Sequence, residues 1–126
     1  MPHDPALVAK THDWLCKASQ DLEAAERLLT GGSPLPSQAA FHAQQAAEKA
    51  QKAFLTWHKQ VFSKTHDLGV LGSECVTIDA TLATVSSSVA QISGYAVRRG
   101  TRARGSNQQS QTRRKRLSWH VRCSTR

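Results

Sequence analysis

No aspartate or glutamate occurs from residue 98 to the end of this 126-residue chain; all nine lie upstream. The same terminal stretch carries nine Arg and Lys115, whereas residues 1–97 hold seven Lys/Arg (Lys10, Lys17, Arg27, Lys49, Lys52, Lys59, Lys64). The formal charge of +8 and pI near 10.0 therefore describe a tail, and the remainder is slightly acidic, at about −2. Cysteine is scarce: Cys16, Cys75 and Cys123 are odd in number and scattered. That fits neither a disulfide framework nor paired metal-ligand spacing, and they read as free thiols. No apolar run approaches the roughly 20 residues that span a bilayer. Met1-Pro2-His3-Asp4 lacks the basic start and apolar stretch of a secretory signal, so a cytoplasmic protein without membrane association is expected. There is no Gly-rich phosphate loop, no internal repeat and no convincing alternation of period two. His12, His42, His58 and His66 form no close pair on one helical turn, so neither a metal site nor a cofactor is expected.

What is present is helical. Asp4-Pro5 is a start signal, an acceptor side chain followed by proline at the first helical position. The helix it opens should run to about residue 29, with Trp14, Leu15, Ala18, Leu22, Ala25, Leu28 and Leu29 in steps of three and four. Lys17, Asp21, Glu23 and Glu26 fall mainly outside that stripe. Gly31-Gly32-Ser33-Pro34-Leu35-Pro36 ends it, glycine being suited to a left-handed C-terminal turn. A second helix is expected over 37–59, with alanine at 39, 40, 43, 46, 47, 50 and 53. Ala39, Ala43, Ala46, Ala47, Ala50 and Ala53 lie along one side, so this helix should pack centrally, close to its neighbours. Thr65-His66-Asp67 reads as a cap before a short segment over 68–75, and a weaker Ser/Thr-rich helix follows over 77–92. The class is all-α: an up-and-down antiparallel bundle of four helices in residues 1–97, then a basic, disordered tail over 98–126.

Four segments carry a resemblance. They are Ala40-Phe41-His42-Ala43-Gln44-Gln45-Ala46-Ala47-Glu48-Lys49-Ala50, Lys52-Ala53-Phe54-Leu55, Lys64-Thr65-His66-Asp67-Leu68 and Gly94-Tyr95-Ala96-Val97-Arg98. Together with Trp14-Leu15-Cys16-Lys17-Ala18 and Asp21-Leu22-Glu23-Ala24-Ala25, this pattern over residues 12–98 resembles the HEPN domain of prokaryotes. The resemblance implies a helical bundle, usually a homodimer, associated with nucleotide or RNA chemistry. It also implies a possible partner, since many such proteins are encoded beside a minimal nucleotidyltransferase in toxin–antitoxin pairs.

The residues themselves allow several roles. His42, Gln45, Lys49 and Lys52 follow one another at steps of three, four and three, a row of donors on one helix face, and Glu48 can pair with Lys52. Such a row can form hydrogen bonds between helices or subunits, line a groove for a nucleotide, an RNA or a protein partner, or simply face solvent. His66 and Asp67 sit at a helix N-terminus, which favours an anion such as phosphate. The simpler alternative is that Asp67 caps the helix, Thr65 is a second acceptor and His66 fixes the loop. Catalytic HEPN ribonucleases carry an arginine followed by a histidine after four to six residues. The arginine can hold phosphate and the histidine can move the proton of a 2′-hydroxyl. No such pair lies in residues 1–97; Arg113 and Arg114 before His120 satisfy the spacing, in a segment where arginine is common.

The tail has three readings. It is a disordered arm that binds nucleic acid through phosphate neutralisation, a solvated tail without function, or translation out of frame. The last can be tested on the amino acids, by joining the final base of each codon to the first two of the next. Trp119 has the single codon TGG, so the Ser118–Trp119 junction reads NTG, which is Leu, Met or Val, and the next reads GCA, alanine. The Arg122–Cys123 junction is again NTG, and the Cys123–Ser124 junction admits Leu or Phe. Upstream, residues 111–117 permit Asp-Ala-Ala-Gln-Ala-Leu-Glu. The joined reading, Asp-Ala-Ala-Gln-Ala-Leu-Glu-Leu-Ala-Arg-x-Val-Leu, is an amphipathic helix of strong formers.

Overall fold

The computed structural model describes residues 3–98, with side chains to residue 92; Arg113, Arg114, His120 and the expected tail lie outside the described residues. Four α-helices follow in order: α1 (Pro5–Thr30), α2 (Pro36–Trp57), α3 (Leu68–Ile78) and α4 (Ala83–Arg98), with a single 3₁₀ turn at Ala80–Leu82 between the last two. No strand occurs among the described residues.

The helix ends follow local chemistry. Asp4 accepts a hydrogen bond from Ala6 N–H at 2.9 Å, with Pro5 at the first helical position. α1 ends at Gly31, whose backbone is extended rather than left-handed as the sequence leads one to expect. The turn is closed instead by Leu35 N–H, which donates to the Leu28 carbonyl at 2.9 Å. α2 starts one residue earlier than expected, with Pro36 at its first position. It stops at Trp57 in a Schellman arrangement: Lys59 N–H donates to Thr56 O, and Gln60 N–H to Leu55 O. Lys59 takes the left-handed conformation there, with φ 56°. Asp67 accepts from Gly69 and Val70 N–H at 2.8 and 3.2 Å, and Thr65 Oγ1 accepts from Asp67 N–H at 3.0 Å. α3 runs on to Ile78, three residues beyond the expected end. Asp79 then caps the 3₁₀ turn by accepting from Thr81 N–H and Oγ1. Thr77 and Ile78 therefore belong to α3, and the final helix begins six residues later than 77.

α1 and α2 form an antiparallel hairpin. Leu28 meets Leu35 near the turn, Asp21 meets His42 further out, and Trp14 lies under the Lys52 ammonium. The facing surfaces are small: Thr11, Ala18 and Ala25 on α1, and Ala39, Ala46 and Ala53 on α2, are buried at seven-residue intervals. In this register Ala25 stands opposite Ala39, Ala18 opposite Ala46 and Thr11 opposite Ala53, which brings the backbones close. Ala50, placed by sequence on the packed side, is exposed. Being four residues from Ala46 and three from Ala53, it lies beyond the edge of the line they form.

α2 also packs on α3 and α4, and those two pack on each other; α1 makes no comparable contact with either. The large apolar core is at the α2/α3 end, where Leu55, Leu71 and Cys75 are buried among Phe54, Phe62, Ile78 and Leu82, with Leu68 buried too. Cys75 is a free thiol, as expected, whereas Cys16 is not. Burial, with Glu74 beside it, pushes the Cys75 thiol up, so it remains protonated and unreactive.

Candidate functional site

The polar row on α2 meets two carboxylates. The first is Asp21 of α1, a residue that interrupts the apolar series Trp14, Asp21, Leu28 at seven-residue spacing. Its Oδ1 lies 2.9 Å from His42 Nδ1, and its Oδ2 accepts from Lys49 Nζ. Burial alone pushes the Asp21 carboxyl up. The hydrogen bonds from Lys49 and His42, together with their charges, outweigh that and hold it below the ordinary carboxylate value. His42 and Lys49 are thus engaged in joining α2 to α1.

The second carboxylate is Glu48, whose side chain is only 4% exposed. Lys52 Nζ donates to its Oε1 at 2.7 Å, the expected i,i+4 pair. His66 Nδ1 lies 3.0 Å from the same oxygen and 3.2 Å from Oε2. A nearly buried carboxylate thus holds two cationic or polarisable groups from below, one on α2 and one on the loop before α3. The His66 side chain is 83% exposed, and its Nε2 is directed away from the anchored nitrogen.

Trp14 adds an aromatic ring to this group. Lys52 Nζ lies 5.5 Å and Lys17 Nζ 5.4 Å from the ring centroid, within cation–π range, and Phe62 meets the ring edge-on at 6.5 Å. Lys17 and Lys52 thus flank the Trp14 ring, and Lys52 and His66 meet at Glu48; Lys52 is itself buried against Glu48, so Lys17, His66 and part of Trp14 are what this group presents to solvent.

The six candidate binding residues separate into groups. His42 and Lys49 meet at Asp21, Lys52 and His66 meet at Glu48, Asp67 caps α3, and Gln45 is half-buried on α2, in the row between His42 and Lys49. The Asp67 carboxylate occupies two N–H groups at the α3 N-terminus that an external anion would need. Sequence reasoning missed Asp21 and Trp14. A charged residue at the middle of an apolar seven-residue series was the available signal for Asp21; the spacing of Trp14 and Lys17 was the signal for one of the Trp14 contacts, and nothing in the sequence marked Lys52 as the other. Arg27, the arginine of α1, pairs with Glu23 on its own exposed face. Among the described residues no group of three His, Cys, Asp or Glu is placed to hold a metal ion, and no helix is long and apolar enough to cross a membrane.

An α-helical bundle with a short, polar-anchored loop against its second helix defines the class of protein. The HEPN domain model matches residues 11–103, and the chain belongs to that family. No curated protein and no solved structure matches it.

Proposed function

We propose that this HEPN protein is a non-catalytic binding module for a nucleotide or an RNA, and that the patch of Lys17, His66 and Trp14 beside the buried Lys52 receives the ligand. The observation that carries the reading is the Glu48 anchor. A carboxylate removed from water orients Lys52 and the exposed His66, and a pre-oriented donor binds phosphate at lower entropic cost than a free surface chain. Trp14 offers an aromatic body beside those charges, a combination that suits a base attached to a phosphate. Family membership extends the proposal to the partner and setting: a homodimer in the cytoplasm that works with a minimal nucleotidyltransferase subunit of a toxin–antitoxin pair.

Titration calorimetry of the full chain with ATP and with a short single-stranded RNA tests this. His66 also satisfies the nearly buried Glu48, so His66→Ala is expected to lower the melting temperature modestly, and binding is compared well below both midpoints, where loss of one charge-assisted contact lowers affinity about tenfold. Unchanged affinity in both His66→Ala and Lys17→Ala removes the patch as the site. RNA cleavage that disappears in His120→Ala replaces the binding reading with a ribonuclease one.

A further inference from the structure

The proposed patch stands at one end of a longer strip. On α1, Lys10, Trp14, Lys17 and Asp21 follow at steps of four, three and four; on α2, Phe41, Gln45, Glu48 and Lys52 repeat the same steps. Such spacing keeps each set on one side of its helix. The helices run antiparallel, with Trp14 meeting Lys52 at one end and Asp21 meeting His42 and Lys49 at the other, so the two stripes border each other on the same flank of the hairpin. Both carboxylates of the stripes are occupied, Glu48 by Lys52 and His66 and Asp21 by Lys49 and His42. Asp13, Glu23 and Glu26 lie off the α1 stripe, and Lys10 and Lys17 are exposed. The strip therefore offers cationic groups to an anionic ligand along its length.

The far end of the strip repeats the composition of the near end. At the near end the Glu48 carboxylate holds the Nδ1 edge of His66, beside the Lys52 ammonium and the Trp14 ring. At the far end Asp21 holds Nδ1 of His42 at 2.9 Å beside the Lys49 ammonium, and the Phe41 ring meets the imidazole edge-on at 5.5 Å. The His42 side chain is 34% exposed. Phe41 is 55% exposed, a large apolar ring that the described helices leave mostly uncovered. Phe41 and Lys52 are eleven residues apart, which is about 16 Å along α2. At roughly 3.4 Å per nucleotide of a stacked strand that distance is about five steps. A single base reaches one ring, and a short strand reaches both.

We propose that the strip from Trp14 to Phe41 is a site for a short single-stranded RNA, with one base on each ring and the intervening phosphates along Lys17, Lys49 and the two anchored imidazoles. This rests on the nucleotide or RNA reading of the patch and chooses the strand. Titration calorimetry of the full chain compares ATP, diadenylate and hexaadenylate. Hexaadenylate binds at least about tenfold more tightly than diadenylate, and Phe41→Ala removes most of that gain, the loss of one base–aromatic stack. Phe41→Tyr keeps it, since a ring of the same shape remains for the base, which separates stacking from any effect of Phe41→Ala on the fold. Equal affinity for the two oligonucleotides overturns the inference, as does hexaadenylate binding that is indifferent to Phe41→Ala; in either case ATP binding weakened by Lys17→Ala leaves the patch itself standing. ATP and hexaadenylate both indifferent to Lys17→Ala and His66→Ala remove the patch, and the strip with it.

Discussion

Asp21 is the residue where charge joins the two halves of the hairpin. Its carboxylate is held below the ordinary value by Lys49 and His42 despite the opposing effect of burial, so its ionised form is favoured by folding. A group with a depressed folded pKa contributes stability above its unfolded value, about 3.9 for Asp, and that contribution is lost as pH falls through the lower folded value. Asp21→Asn is therefore expected to cost about 1–3 kcal/mol near neutral pH, and the difference from the parent should vanish in strong acid. Urea unfolding of both proteins at pH 7 and pH 2.5 measures it; a difference that does not shrink at the lower pH shows that packing rather than charge is lost. At this scale legibility depended on whether a residue's role was local. Asp4, Thr65 and Asp67 act on backbone within three residues and were readable. Lys59 in a left-handed position was not, because neither glycine nor asparagine marked it. The partnership of Asp21 with residues 42 and 49 was hidden because only the hairpin register creates it.

Helix α3 is tied to its neighbours through the absence of a side chain. A Cβ at Gly72 would lie 2.1 Å from Ser86 Oγ on α4, 3.2 Å from Gln51 Nε2 on α2 and 3.4 Å from Ser86 Cβ. Three helices therefore meet at this point. Alanine is the better helix former by about 1 kcal/mol, so Gly72→Ala sets a gain in propensity against a clash. Displacing the Ser86 hydroxyl and tightening the Gln51 contact cost about 1–3 kcal/mol, and net destabilisation is expected. Removing the hydroxyl should reverse or erase the effect: in a Ser86→Ala background Gly72→Ala becomes neutral or stabilising. A double-mutant cycle by denaturant unfolding reads the coupling, expected at about 1 kcal/mol or more; additive effects show that the helices separate freely here. The existence of four helices was legible from apolar steps of three and four. The α3/α4 boundary was not, since the Ser/Thr-rich stretch reads through, and only the capping of Thr81 by Asp79 shows where the chain turns. The alanines of α2 announced close packing, yet which of them face α1 depends on the line at 39, 46 and 53, which excludes Ala50.

Across the whole molecule, apolar burial is uneven. The fully buried large side chains are Leu55, Leu68 and Leu71, all at the α2/α3 end. α1 contributes Thr11, Cys16, Ala18 and Ala25 to the buried set, while its Val8, Leu15, Leu22 and Leu29 are exposed. The all-α class followed from periodicity, but which helices pack on which did not. The openness of α1 is a tertiary fact, visible only once α3 and α4 are seen committed to α2. Burying a leucine stabilises by about 1.5–3 kcal/mol, whereas the smaller apolar area of an alanine contributes much less. The α2/α3 end should therefore open only with global unfolding, and α1 should open at a lower free energy. Native-state hydrogen exchange is expected to place amides near residues 52–55 and 71–75 at the global limit, and those of residues 8–29 below it. Leu71→Ala supports the assignment independently: loss of 2–5 kcal/mol is expected for that cavity, and it should lower the limit for the slowest amides by the same amount. The α1 amides should keep their own opening energy until the global value falls beneath it. If α1 instead exchanges at the global limit, and its protection falls in step with the core in Leu71→Ala, the alanine seam alone makes the hairpin one cooperative unit with α3.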